Sequence, residues 1–114
     1  MTKHQAYLGV FRFLDSYYFK NQNDGLGSLL GDMDPNIFGN GEMPADPAVW
    51  EDWQKCTEKV CGRDDVVSIS QLKPLLFTFL EMYRDEWGYE LDQVILALQN
   101  DPNLDNTLNQ YAFQ

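Results

Sequence analysis

The stretch Thr2–Lys20, TKHQAYLGVFRFLDSYYFK, has the spacing of an amphipathic helix. Ala6, Val10, Phe13, Leu14 and Tyr17 recur at the three- and four-residue intervals of one helical face, and Tyr7, Phe11 and Tyr18 widen the stripe. Thr2 followed by Gln5 has the form of a capping box, in which each side chain answers the other's backbone N–H. Lys20 stands near the end, where a cation favours the helix dipole. The run NQNDG after it breaks the pattern.

Working outward, Leu26, Leu29, Leu30 and Met33 read as a short second helix capped by Asp24. A loop follows, DPNIFGNGEMPA at 34–45, in which Ile37, Phe38 and Met43 are expected to pack down. Asp46-Pro47 starts a third helix, with an Asp cap and a Pro whose missing N–H is harmless at the first position. Its stripe is Val49, Trp50, Trp53, Cys56, Thr57 and Val60; Glu51 pairs with Lys55, and Gly62 ends it. Ser68 or Ser70 opens a fourth helix along Leu72, Leu75, Leu76, Phe79, Leu80 and Tyr83 to Trp87 and Gly88; Pro74 favours the later start. Leu91, Val94, Ile95 and Leu98 give a fifth, and Asp101-Pro102 begins a last one through Leu104, Leu108 and Tyr111. Val66-Val67-Ser68-Ile69 is too isolated to make a sheet. The expected fold is all-α: residues 1–114 as one compact domain, a bundle of five to six helices with two long helices each followed by a shorter one.

A faint internal echo recurs at a shift of 66 residues: Thr2 with Ser68, Gln5 with Gln71, Phe11 with Phe77, Phe13-Leu14-Asp15 with Phe79-Leu80-Glu81, and Tyr17 with Tyr83. It is compatible with duplication of a long-helix, short-helix unit, or with two ordinary amphipathic helices.

Composition narrows the function. With 114 residues, 44% hydrophobic and 14% aromatic, the chain can build a core without metal or disulfide. No apolar run approaches a membrane span, and the N-terminal sequence lacks a signal peptide's apolar block, so the expected address is the cytoplasm. Cys56 and Cys61 sit about 140° apart on one helix, which disfavours a bridge and fits reduced thiols. The net charge is −10. Residues 21–54 hold Asp24, Asp32, Asp34, Glu42, Asp46, Glu51 and Asp52 with no Lys or Arg. From Asp85 onward stand Asp85, Glu86, Glu90, Asp92, Asp101 and Asp105, again without a base. Such a field repels nucleic acid and anionic lipid and attracts basic proteins.

Catalytic patterns are missing. His4, the one histidine, reads as a solvated helix-start residue. No GxSxG, HExxH, Walker-type or GxGxxG pattern occurs. Asp32-Met33-Asp34-Pro35-Asn36 starts like a calcium loop, but Ile37 stands where Gly is needed and Met43 where Glu is needed; Asp101–Asn106 fails at Ala112. Nothing selects a carboxylate pair for glycoside hydrolysis. No enzyme activity, cofactor or metal is expected.

The run Leu26-Gly27-Ser28-Leu29-Leu30-Gly31-Asp32-Met33, then Gly41-Glu42-Met43-Pro44-Ala45-Asp46-Pro47-Ala48-Val49-Trp50-Glu51-Asp52-Trp53, with Phe13-Leu14 and Tyr17-Tyr18 upstream, resembles small immunity proteins of bacterial polymorphic toxin systems, including contact-dependent growth inhibition. The match spans roughly residues 6–60. The resemblance implies a cytosolic antitoxin that binds and blocks the toxic domain of a cognate effector, often a nuclease.

Charge points the same way, because an acidic helical surface complements the basic active site of a nuclease. With Asp46 occupied as a cap and Glu51 by Lys55, the expected partner-binding residues are Asp24, Asp32, Asp34, Glu42 and Asp52, and a monomer is the favoured state. The alternative is an acidic helical adaptor or nucleic-acid mimic that binds a host nucleic-acid-binding factor. Capture of a housekeeping protein from lysate would favour that alternative.

Overall fold

Residues 1–37 and 40–112 are described by a computed structural model of the chain. Six α-helices follow one another: α1 (Lys3–Lys20), α2 (Asp24–Met33), α3 (Pro47–Cys61), α4 (Leu72–Trp87), α5 (Asp92–Gln99) and α6 (Leu104–Ala112). Among the described residues there is no strand. The fold is all-α, with long α1 and α4 each followed by a shorter helix. The Cα radius of gyration, 12.9 Å, is that of a compact chain of this length, about 13 Å.

Local chemistry sets most of the helix ends. Thr2 Oγ1 accepts from the Gln5 N–H at 3.0 Å and Gln5 Oε1 accepts from the Thr2 N–H at 2.8 Å, closing the capping box. Asp46 caps α3 by accepting from the Ala48 N–H at 3.0 Å, with Pro47 first in the helix. The cap of α2 is Asn23, not Asp24: its Oδ1 accepts from the Leu26 N–H at 3.0 Å, and Asp24 is the first helical residue. The conflict at Pro74 is resolved by a short 3₁₀ turn, Ile69–Gln71, capped by Ser68. It delays α4 to Leu72, and Pro74 then falls in the first turn, where an N–H has no helical partner anyway. Gly88 ends α4 in the left-handed region at φ 73°, and the Tyr89 N–H closes back on the Tyr83 carbonyl at 3.1 Å.

The helices bury one continuous core. α1 packs most extensively on α6, α3 on α4. An aromatic chain runs through it: Trp50 meets Tyr7 edge-on at 5.8 Å, Tyr7 meets Trp53 at 5.5 Å, Trp53 meets Phe79 at 5.5 Å, and Phe79 meets Tyr83 at 4.9 Å. Offset and edge contacts of this kind add to plain burial. Tyr7 also donates to the Met33 carbonyl at 2.6 Å, satisfying a carbonyl left open at the end of α2. Cys56 is buried and Cys61 half-buried, and both are free thiols.

The 66-residue echo has a structural counterpart. α1–α2 and the 3₁₀ turn with α4–α5 occupy corresponding stretches, and Ser68 and Gln71 rebuild the capping box of Thr2 and Gln5. Immediately before each box, Met1 and Val67 exchange two backbone hydrogen bonds, of 3.1 and 2.7 Å.

The 34–45 loop is held differently from the expectation. Ile37 and Met43 are about half exposed, while Phe38 lies outside the described residues. Pro35 and Pro44 are buried instead, and the Asp46 N–H donates to the Asp32 carbonyl at 3.0 Å.

Two glycines of α2 predict opposite stability effects. A Cβ at Gly25 would fall against the Glu90 backbone, closer than van der Waals contact permits. A Cβ at Gly31 meets nothing within 4 Å. Gly31→Ala is expected to stabilise by up to about 1 kcal/mol through helix propensity. Gly25→Ala is expected to destabilise, since a backbone clash of this kind costs about 1–3 kcal/mol and outweighs that gain. Paired thermal melts read the difference.

A candidate acidic docking face across α2

The exposed ridge of α2 separates two open depressions that share Asp24 and Ser28. The first, about 540 Å³, lies toward α1 and is lined by Phe11, Asp15, Tyr18, Asp24, Gly31 and Asp34, among others. The second, about 460 Å³, lies toward the end of α4 and includes Asp24, Gly25, Trp87, Tyr89 and Glu90. Neither is lined by a lysine or arginine. Tyr18 lies over Gly27, where an added Cβ would stand 2.9 Å from the phenol oxygen and the ring would have to shift.

Four ion pairs occur among the described residues: Arg63–Glu58, Lys73–Asp105, Arg84–Asp85 and Arg84–Asp92. None involves an acid of 21–54. Those seven carboxylates therefore have no Lys or Arg brought to them from elsewhere, and Glu51 and Lys55 do not pair. The second acidic stretch fares differently. Arg84, just ahead of it, binds Asp85 at 2.8 Å and Asp92 at 3.2 Å, raising its own pKa chiefly through the Asp85 hydrogen bond and lowering that of Asp85. Asp105 faces Lys73, and Asp101 accepts from the Asn103 N–H at 2.9 Å.

The five expected partner-binding residues separate. Asp24 is exposed and lines both depressions; Asp34 lines the first while accepting from the Asn36 N–H at 2.9 Å. Asp32 is half-buried and accepts from Tyr89 Oη at 2.6 Å, which fastens the end of α2 to the wall of the second depression. Glu42 is exposed in the 34–45 loop, beyond both depressions, where its carbonyl meets His4 Nε2 at 2.6 Å. Asp52 corrects the expectation: it is 5% exposed and accepts from Tyr83 Oη at 2.8 Å, so it serves the α3–α4 interface and offers nothing to a partner. Its register explains this, because Val49, Asp52, Trp53 and Cys56 follow the i, i+3, i+4, i+7 pattern of a buried face. Asp15, Glu90, Tyr18 and Trp87 complete the face and were not foreseen; the base-free run after Asp85 was the one hint toward Glu90.

The phenols record the field around them. The Asp32 hydrogen bond, with burial and the nearby Asp46, pushes Tyr89 up from 10.0 to about 12. Burial and Asp52 push Tyr83 up, and burial, with Asp34, does the same for Tyr7. A phenol whose folded pKa is raised keeps its proton where the unfolded chain has lost it. Its contribution is complete below pH 10 and is lost as pH rises through 12. Denaturation midpoints are expected to fall over that window, and less steeply in Tyr89→Phe.

Among the described residues no group of three or more His, Cys, Asp or Glu is placed to hold a metal ion, and no helix is long and apolar enough to cross a membrane. Burial pushes the Cys56 thiol up to about 12, so it is a poor nucleophile. No protein-family model, curated protein or solved structure matches the chain.

Proposed function

We propose that the chain is an immunity protein, an antitoxin that binds and neutralises a cognate nuclease toxin domain through the acidic face across α2. The reading carries with it a bacterial cytoplasmic setting and a basic protein partner, and it assigns the chain no catalytic role. The observation that supports it best is that, among the described residues, no Lys or Arg pairs with the carboxylates of 21–54, two of which border adjoining depressions with no basic lining.

Elementary electrostatics connects that face to inhibition. A nuclease concentrates positive charge where it holds a phosphate backbone, and opposing fields raise association rates toward ~10⁸–10⁹ M⁻¹s⁻¹. The face is also stiff, because Gly25 contacts the Glu90 backbone and Tyr89 is bonded to Asp32. A preformed surface loses little ordering entropy on binding.

Co-expression with the toxin encoded immediately upstream tests the reading. Growth is expected to be restored and the two proteins to co-purify; failure of both contradicts it.

A further inference from the structure

The geometry points to the depression beside Trp87 as a socket for an arginine side chain of the basic partner. This rests on the acidic-face reading above and goes beyond it by naming the anchor residue and the group it takes. Trp87 stands apart from the other two tryptophans: it is 57% exposed, while Trp53 is fully buried and Trp50 half-buried. It lines a space of about 460 Å³ together with Asp24, Glu90 and Tyr89, and both acids are exposed.

The socket is held on each side. Gly88, at φ 73°, turns the chain sharply after Trp87, and the Tyr89 N–H bonds the Tyr83 carbonyl at 3.1 Å. Tyr89 Oη is tied to Asp32, and the first turn of α2 lies directly on the Glu90 backbone. Arg84, the cation nearest in sequence, is engaged by Asp85 and Asp92.

Charge and shape then choose the occupant. An anion or a nucleic-acid phosphate is repelled by Asp24 and Glu90, and a purely apolar side chain would leave those carboxylates desolvated without compensation. A guanidinium stacks its plane on an indole and directs its N–H groups to carboxylates at the edge. Lysine carries the same charge as a compact, strongly hydrated point and does not stack in this way. The prediction is therefore a preference for arginine over lysine, located at Trp87.

Titration of the full chain with oligo-arginine and oligo-lysine of equal length, followed by tryptophan emission and by calorimetry, tests this. Oligo-arginine is expected to bind more tightly and to change the emission. Trp87→Ala is expected to remove the emission change, weaken oligo-arginine binding by roughly two- to fivefold, the range of an exposed cation–π contact, and erase the preference over lysine. Trp87→Phe is expected to restore part of it, and the double variant Asp24→Asn, Glu90→Gln to weaken both peptides. An emission unchanged on binding, or an arginine preference intact in Trp87→Ala, overturns the inference. Peptide binding at Trp87 without growth rescue would leave this socket standing and remove the toxin; rescue without a Trp87 signal would do the reverse.

Discussion

Replacing Trp53 with alanine is expected to destabilise the protein by about 3–5 kcal/mol, the cost of emptying a buried indole site. Trp53 is 0% exposed and sits on α3 between α1 and α4. Its ring meets Tyr7 on one side and Phe79 on the other, both near 5.5 Å and close to perpendicular, and its Nε1–H donates to the Lys3 carbonyl at 2.9 Å. Alanine removes all three contacts together and opens a cavity where three helices meet. Because a domain of this size has only about 5–15 kcal/mol of net stability, the loss is a large share of it. A fall in Tm of roughly 10–25 °C is expected. Thermal and urea unfolding check it, and a loss below about 1 kcal/mol would mean that α3 is not seated as described.

Reversing charge at Asp24 and Asp34 together is expected to slow association with the proposed toxin partner at least about tenfold at low ionic strength, since steering by a focused field is worth 10–10³ in rate. Asp24 lines both depressions and Asp34 the first, and neither has a Lys or Arg partner to mask the change. Two controls separate steering from net charge. Asp64→Lys changes an exposed acid that borders neither depression and is expected to have a much smaller effect. Asp52→Asn alters a buried carboxylate bonded to Tyr83 and is expected to act on stability, leaving the association rate unchanged. Stopped-flow mixing reads all three. Equal slowing by Asp64→Lys would spread the interaction over the whole molecule and remove the α2 face from its special place.

Helix existence and class were legible because their signals are local. The Thr2–Gln5 box, the Asp46-Pro47 start, and the Gly62 and Gly88 stops each act within a few residues, and each is realised. At the start of α2 the expected cap, Asp24, is off by one residue: the neighbouring Asn23 accepts from the Leu26 N–H, and Asp24 is the first helical residue. The acidic face was half legible. Its first stretch is base-free in sequence and stays unpaired in space, but the depressions arise from contacts between distant residues. Tyr89 reaches Asp32 across 57 positions, and Gly25 meets the Glu90 backbone. No periodicity encodes such pairs. Asp52 is the opposite case: its place on the Val49–Trp53–Cys56 stripe encodes burial, against the usual preference of a carboxylate for the surface. The second acidic stretch is base-free only from Asp85 onward, and Arg84, one residue earlier, pairs with two of its acids.

The most direct measurement is the association rate constant with the proposed toxin partner as ionic strength rises. As the Debye length contracts from about 30 Å at 0.01 M salt to about 3 Å at 1 M, the rate is predicted to fall steeply toward the ~10⁵–10⁶ M⁻¹s⁻¹ of unsteered docking. A rate that stays level across that range would contradict recognition through the unpaired carboxylates of α2.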